Sequence, residues 1–357
     1  MKIHTHVTEQ RQPLARGREI GERFAEQIRH TTALYLGFFP RVGIDSAQVQ
    51  AIGERSLAAL ESWSPALAAE VIGIAQGTGL PLWQLASLNA RTEILAAMPA
   101  THGECSTTVF APAGAQLPRS LQTWDWHDSL APHGLLLQLT TEHDMTVKQF
   151  SEFGMLGKIG VNSAGVGLHF NILHHHSDND SGGVPVHAIA RRVLEDASSV
   201  QEAIELARSA PVSASTVLTV FSREDSSPRA VSIEMSPAHT GLVLPREDGW
   251  LLHTNHFLDP QLALGERSAD RADTEGRLQH LDEVVGAMNS ADLRVRAQAM
   301  CGGAGGQAPI CFHPDLSQPD TQRWETLLSI AIDTQNCQLE YTAGNPSVLA
   351  SQGFERF

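Results

Sequence analysis

Lysine is scarce in this chain. Only Lys2, Lys148 and Lys158 occur among 357 residues, and Lys plus Arg reaches 25 against 40 Asp plus Glu. The formal net charge is −15, with no basic run to offset it. Such a surface repels a phosphate backbone, so no nucleic-acid partner is expected. Long apolar runs are missing as well. None approaches the roughly 18 residues that span a bilayer. The stretch Met1 to Gly17 is polar and charged, without the apolar core of a signal peptide. No membrane partner is expected, and the cytoplasm is the expected address. The four cysteines, Cys105, Cys301, Cys311 and Cys337, include no close-spaced pair, which argues against a disulfide framework and against a CxxC zinc site. Also absent are a GxSxG elbow, HExxH, a P-loop and a GxGxxG opening a helix. The tract Gly302 to Gly306 lacks the Lys-Ser/Thr ending that phosphate cradling needs.

What remains is the composition of an ordinary globular protein, 42% hydrophobic and 18% charged, long enough to bury a large core without staples. The first hundred residues read as helices. Ser46 can cap a helix to about Glu61. Ser64-Pro65 opens a second that Gly77 breaks, and a third starts near Pro81 and ends before Pro99. At Cys105 the character changes to short runs rich in Val, Thr, Leu, Phe and Trp. They cover Cys105–Ala111, Ser120–Trp126, Gly134–Thr141, Thr146–Phe153, Gly157–Asn162 and Gly165–Ile172. Two helices follow, Pro185–Ala197 and Ser199–Ala210, and then strands Ser215–Ser222, Arg229–Ser236, His239–Leu244 and Trp250–Asn255. A helical pair at Ala269–Met288 and Ala291–Met300 leads into the glycine tract, and strands Thr326–Asp333 and Gln338–Ala343 close the chain. This order predicts two face-to-face sheets with helices outside. The composition divides near residue 104 into a mainly helical segment, 1–104, and a sheet-rich one, 105–357.

Cys105 is the informative residue. It opens the first strand behind the polar stretch Thr101-His102-Gly103-Glu104, a position suited to nucleophilic attack, although a lone cysteine is more often a small buried hydrophobe. Its company includes Asn89-Ala90-Arg91-Thr92-Glu93-Ile94, Gly103-Glu104-Cys105-Ser106-Thr107 and Thr123-Trp124-Asp125-Trp126. Two further stretches are Gly160-Val161-Asn162-Ser163-Ala164-Gly165 and His253-Thr254-Asn255-His256-Phe257. On these stretches the chain resembles the isopenicillin-N acyltransferase family of N-terminal-nucleophile hydrolases, self-cleaving cysteine amide hydrolases and acyltransferases.

The resemblance implies an α+β fold, a four-layer αββα sandwich, and an inactive precursor in which Cys105 attacks the Glu104 carbonyl. Water would then release residues 1–104 as a small subunit. The new α-amine of Cys105, with a pKa of about 7.7–8.0, can serve as base to the thiol on the same residue. The resemblance makes Asn255 the oxyanion donor, the alternative being an Asn that merely ends a strand at a turn. Asp125, an acidic residue between two tryptophans in an alternating strand, is expected to orient and stabilise the charged amine of Cys105, with an edge-strand carboxylate as the alternative. Arg323 lies roughly where relatives place an arginine at the site, with a surface arginine as the alternative. Arg91 and Glu93 match a pro-segment stretch and form either a buried ion pair supporting the cleavage loop or an exposed helix pair. His169 and His174 to His176, with Asp178 and Asp180, could hold a metal in principle. Three adjacent histidines do not easily face one ion, however, and the family chemistry needs none, so neither metal nor cofactor is expected. The expected function is hydrolysis of a small-molecule or peptide amide through an acyl-cysteine thioester. The alternatives are an acyltransferase using an acyl-coenzyme A or amide donor, and a non-catalytic binding protein on the same fold. Oligomerisation is left open.

Overall fold

Two ladders organise the molecule. The computed structural model describes residues 1–96, 105–114, 116–267 and 270–357. Its N-terminal part comprises β1 (Lys2–Val7), α1 (Pro13–Arg23), α2 (Ala25–Arg41), α3 (Ser46–Trp63), α4 (Pro65–Thr78), α5 (Leu82–Asn89) and α6 (Arg91–Leu95). Six strands follow: β2 (Cys105–Phe110), β3 (Arg119–His127), β4 (His133–Thr140), β5 (Thr146–Glu152), β6 (Ile159–Asn162) and β7 (Val166–Ile172). After α7 (Val186–Asp196) and α8 (Val200–Ser209) come β8 (Thr216–Ser222), β9 (Ala230–Met235), β10 (Thr240–Val243) and β11 (Trp250–His253). The rest is α9 (Pro260–Ala263), α10 (Arg271–Val284), α11 (Leu293–Cys301), β12 (Trp324–Asp333), β13 (Gln338–Ala343), α12 (Pro346–Gln352) and β14 (Glu355–Arg356).

One sheet has eight strands in the order β1-β4-β5-β6-β7-β8-β9-β10, and the other six in the order β11-β2-β3-β12-β13-β14. Their inner faces meet directly: the rings of Trp124 on β3 and Phe150 on β5 are 5.3 Å apart, and Gln122 Nε2 donates to the Phe170 carbonyl at 2.7 Å. Residues i and i+2 of a strand share a face, so Gln122, Trp124 and Trp126 point inward while Leu121, Thr123 and Asp125 point out. The outer face of the six-stranded sheet is covered by α10 and α11, where Phe110, Leu121, Trp250 and Leu252 pack with Leu281, Leu293 and Met300. On the other side α7 and α8 lie over β5 to β9. This is the αββα sandwich, and it explains why β2 and β3 are buried on both faces.

The twelve strands expected from sequence are present with ends shifted by a residue or two. Several local expectations are corrected. Asp45, not Ser46, caps α3, accepting the Ala47 and Gln48 N–H groups while Gln48 returns a bond to the Asp45 N–H. Gly77 does not break α4; the helix runs to Thr78 and ends on Gly79 in the left-handed region, φ 69°. The single helix expected from Pro81 is two, α5 and α6, divided at Ala90. Ala269 lies outside the described residues, and the helix expected to run from there to Met288 is α10, capped by Asp270, followed by a 3₁₀ turn. The glycine tract forms 3₁₀ turns between α11 and β12.

The N-terminal part is woven into the sandwich. β1 pairs parallel to β4. Helices α1 and α4 touch backbone to backbone: a Cβ on Gly17 or Gly21 would collide with the Glu70 or Ile74 carbonyl, and one on Gly73 or Gly77 with the Leu14 or Arg18 carbonyl. Beside this contact a buried cluster bridges to α7, with Arg16 Nη2 2.6 Å and Arg191 Nη2 3.0 Å from Glu70 Oε2. Among the described residues no helix is long and apolar enough to cross a membrane.

Candidate active site

Cys105 heads β2 and is buried. Its neighbours follow from strand register. β11 pairs antiparallel with β2, His253 opposite Thr107, so the chain leaving β11 carries Asn255 to the level of Cys105. There the Cys105 N–H donates to Asn255 Oδ1 at 2.8 Å. The Asn255 amide nitrogen donates to the Ile172 carbonyl at 2.9 Å, where β7 ends, and its backbone N–H donates to Thr274 Oγ1 at 2.8 Å. The residue is thus fixed from three elements.

The Cys105 carbonyl accepts from Asn171 Nδ2 at 3.1 Å and from Arg277 Nη1 at 2.9 Å. Neither residue was singled out from sequence. Arg277 projects from α10 on the buried stripe it shares with Thr274 and Leu281. Its Nη1 also meets Asn255 Oδ1 at 3.1 Å, and Asp273 one turn earlier takes its Nε at 2.9 Å. An arginine on the apolar face of a helix was the available signal. Asn171 alternates inward on β7 and accepts from Thr107 Oγ1 at 2.7 Å, tying the two sheets together at the site.

Asp125 is fully buried on the helix side of the six-stranded sheet, with Arg277 acting on its charge. Cys105 lies opposite Trp124, so the thiol and the carboxyl leave opposite faces. Asp125 Oδ2 accepts from Thr123 Oγ1 at 3.1 Å, and Thr123 Oγ1 accepts the Ser106 N–H at 3.1 Å. Oδ1 makes no hydrogen bond of ordinary geometry. Burial pushes this carboxyl up to about 8, against the pull of Thr326, Arg277 and Thr123.

Other expected residues sit elsewhere. Glu104 lies outside the described residues. Arg323 pairs with Asp128, Nε to Oδ2 3.1 Å, and its carbonyl accepts from His127 Nδ1 at 3.2 Å; the arginine at Cys105 is Arg277. Arg91 and Glu93 are both buried, which removes the exposed-pair alternative, but each serves a different group. Arg91 bonds Glu152 at 2.9 Å, and Glu93 Oε1 accepts the Val186 N–H at the start of α7 at 2.8 Å. The polar histidine loop is held by Asp178, which accepts from the His175 N–H at 2.8 Å and Ser215 Oγ at 2.6 Å. Among the described residues no group of three or more His, Cys, Asp or Glu is placed to hold a metal ion.

Beside the site is a largely apolar cavity of about 110 Å³. Ile172, whose carbonyl takes the Asn255 amide, forms part of its wall with Trp126 and His127, and α2 and α6 contribute Phe38 and Leu95. Both segments of the chain therefore build it.

A sandwich of two sheets between helices, with a buried cysteine heading a central strand and its backbone gripped by Asn255, Asn171 and Arg277, defines the class structurally. The chain belongs to the acyl-coenzyme A:6-aminopenicillanic acid acyl-transferase family, whose model matches residues 118–348. It is 31% identical over 219 residues to the acyl-coenzyme A:6-aminopenicillanic-acid-acyltransferase 40 kDa form of Emericella nidulans, a match covering 59% of this chain and 58% of that protein. The match thus spans less than two thirds of that relative's length. Among solved structures, a Caenorhabditis elegans ortholog of N-acylethanolamine-hydrolyzing acid amidase matches at 12% identity and a TM-score of 0.43, over 65% of this chain and 96% of that one. Penicillin V acylase from Agrobacterium tumefaciens matches at 14% identity and a TM-score of 0.35, over 69% and 77%. At these scores nothing beyond a loose likeness of shape follows.

Proposed function

We propose that the protein is a cysteine-dependent amide hydrolase activated by cleavage of its own Glu104–Cys105 bond. The observation that carries this is the grip on Cys105: its nitrogen on Asn255 Oδ1 at 2.8 Å and its carbonyl on Arg277 and Asn171. That grip fixes the backbone on both sides of a thiol at the head of a strand.

In maturation the Cys105 sulfur attacks the Glu104 carbonyl carbon and the C–N bond breaks. The nitrogen takes a proton to become a free amine, and water hydrolyses the resulting thioester, leaving a carboxylate on Glu104. In turnover the amine takes the thiol proton, the sulfur attacks the substrate carbonyl as a thiolate, and the proton passes to the departing amine. Water releases the acyl group. Asn255 holds the Cys105 nitrogen with its oxygen, and its NH₂ group lies on the side of Ile172, the cavity wall, where it can meet the developing oxyanion. Donors of this kind are worth about 2.7–4 kcal/mol each. Asp125, linked to the Ser106 N–H beside Cys105 through the Thr123 hydroxyl, orients the new amine. The cavity suits an apolar acyl group.

A second reading has a specific observation behind it. The family and the Emericella nidulans relative are named for transfer of an acyl group from acyl-coenzyme A, so an amine could replace water in the last step. A panel of N-acyl amines, with and without an added acceptor amine, separates the two outcomes. Hydrolysis predicts free acid, an acyl adduct on Cys105 in short incubations, and loss of both in Cys105→Ala. Turnover surviving in Cys105→Ala removes the proposal.

A further inference from the structure

Behind the Cys105 strand, between the sheets, lies an ionic cluster that the steps above do not use. Lys158, the residue before β6, is buried, with Nζ 2.8 Å from Glu152 Oε2 and 3.8 Å from the centre of the Trp124 ring. Glu152 ends β5 and also takes Arg91 Nη2 at 2.9 Å and the Tyr35 hydroxyl at 2.5 Å. Trp124 stands directly opposite Cys105 in the β2–β3 ladder. Side chains so paired leave one face with Cβ atoms about 5 Å apart. An ammonium resting on that indole is therefore a neighbour of the thiol, and Cys105 is among the groups acting on its charge.

We propose that Lys158 is a positioning residue acting through Cys105: its ammonium, anchored by Glu152 and the face of Trp124, holds the sulfur in its thiolate form. The inference rests on the reading of Cys105 as nucleophile. A thiol sealed between two sheets meets a desolvation penalty that favours the neutral, unreactive form. An opposite charge within about 4–6 Å reverses this by about 1–3 pH units. The cation is itself held against burial. Burial pulls Lys158 down to about 8, Arg91 pushes the same way, and Glu152 pulls it back. Burial alone would raise Glu152, but Arg91 and Lys158 keep it below the usual carboxylate range. Tyr35 is pushed well up, first by burial, and stays a neutral donor to Glu152. His187 on α7 is held well below its ordinary value by burial, Arg91 and Lys158, and adds no competing charge. Support for the thiolate should therefore be present below about pH 8 and fade as Lys158 loses its proton above it.

The test titrates the thiolate directly by its far-ultraviolet absorbance, taking the difference between each protein and its Cys105→Ala counterpart, in preparations matched for chain state by intact mass. Lys158→Met should raise the midpoint by at least about one pH unit, roughly a tenfold loss of thiolate at neutral pH. Lys158→Arg, which keeps the charge, should stay within about threefold of the original thiolate fraction, a smaller displacement than removal of the charge produces. An unmoved midpoint in Lys158→Met overturns the proposal, and so does Lys158→Arg moving as far as Lys158→Met. Should Lys158→Met fail to fold, Lys158→Gln takes its place in the same titration, and an unmoved midpoint there overturns the proposal; so does a midpoint in the unmodified protein at or above the ordinary thiol value of about 8.5. Because the readout is ionisation, it is separable from the nucleophile assignment, which fails instead if Cys105→Ala still turns over substrate.

Discussion

Asp125 and Glu93 are carboxyls raised to about 8, each first by burial. A carboxyl whose pKa is near 4 in the unfolded chain and near 8 in the folded one is protonated only in the folded state between those values, so stability falls as pH rises across that window. The slope is on the order of 1 kcal/mol per pH unit for each group. Asp125→Asn and Glu93→Gln should each flatten the decline in denaturant midpoint between about pH 4 and 8. An unchanged slope in both would place these carboxyls in ordinary surroundings. Asn171 and Arg277 grip the Cys105 carbonyl. Arg277→Gln should therefore lower the rate constant for self-cleavage by about tenfold to a hundredfold in a timed gel assay, the loss of one charged hydrogen bond of about 1.5–3 kcal/mol. Cleavage at the original rate would assign Arg277 to packing alone. Alternation placed Cys105 and Asp125 on strands and Asn255 at a strand end, whereas the roles expected of Cys105 and Asn255 came with the family resemblance; the structure brings Cys105 and Asn255 into contact. Arg277 was not legible, because it reaches Cys105 from 172 positions away, and Arg323 was expected at the site from its place in the sequence order alone.

At the scale of elements, the sheets were legible almost strand for strand, since β2 to β13 carry β-branched and aromatic runs bounded by turns. The exceptions have physical reasons. β1 is an edge strand, Lys2–Val7, with only His6 buried, so it lacks an apolar face to detect. α1 carries Gly17 and Gly21 in its interior, which reads as a poor helix until α4 is laid against it. Those glycines make the contact possible. Gly17→Val should cost about 1–3 kcal/mol by forcing the α1–α4 backbones apart. Gly276, exposed on α10 with open space where a Cβ would stand, is the counterexample. Gly276→Ala should stabilise by about 0.5–1 kcal/mol. Chemical denaturation of the two variants checks both signs, and a stable Gly17→Val protein would contradict the close approach.

Over the whole molecule, the N-terminal segment behaves as a built-in part. It supplies β1 to the eight-stranded sheet, Phe38 and Leu95 to the cavity, and Arg16 and Glu70 to a buried cluster completed by Arg191. Fragments 1–104 and 105–357 should therefore migrate as one species under native conditions after cleavage and part only in denaturant. Glu70→Ala removes the fully buried carboxylate that Arg16 and Arg191 share, leaving them Glu195 alone, and should cost about 3 kcal/mol in unfolding free energy. The account turns on Cys105 being released at a new chain end. The most direct measurement is the intact mass of the purified full chain beside its Cys105→Ala variant, with N-terminal sequencing of any fragment. Two masses meeting at Glu104–Cys105 in the first and one uncut mass in the second are predicted. A wild-type chain that stays whole, or a Cys105→Ala chain cut at the same bond, would contradict it.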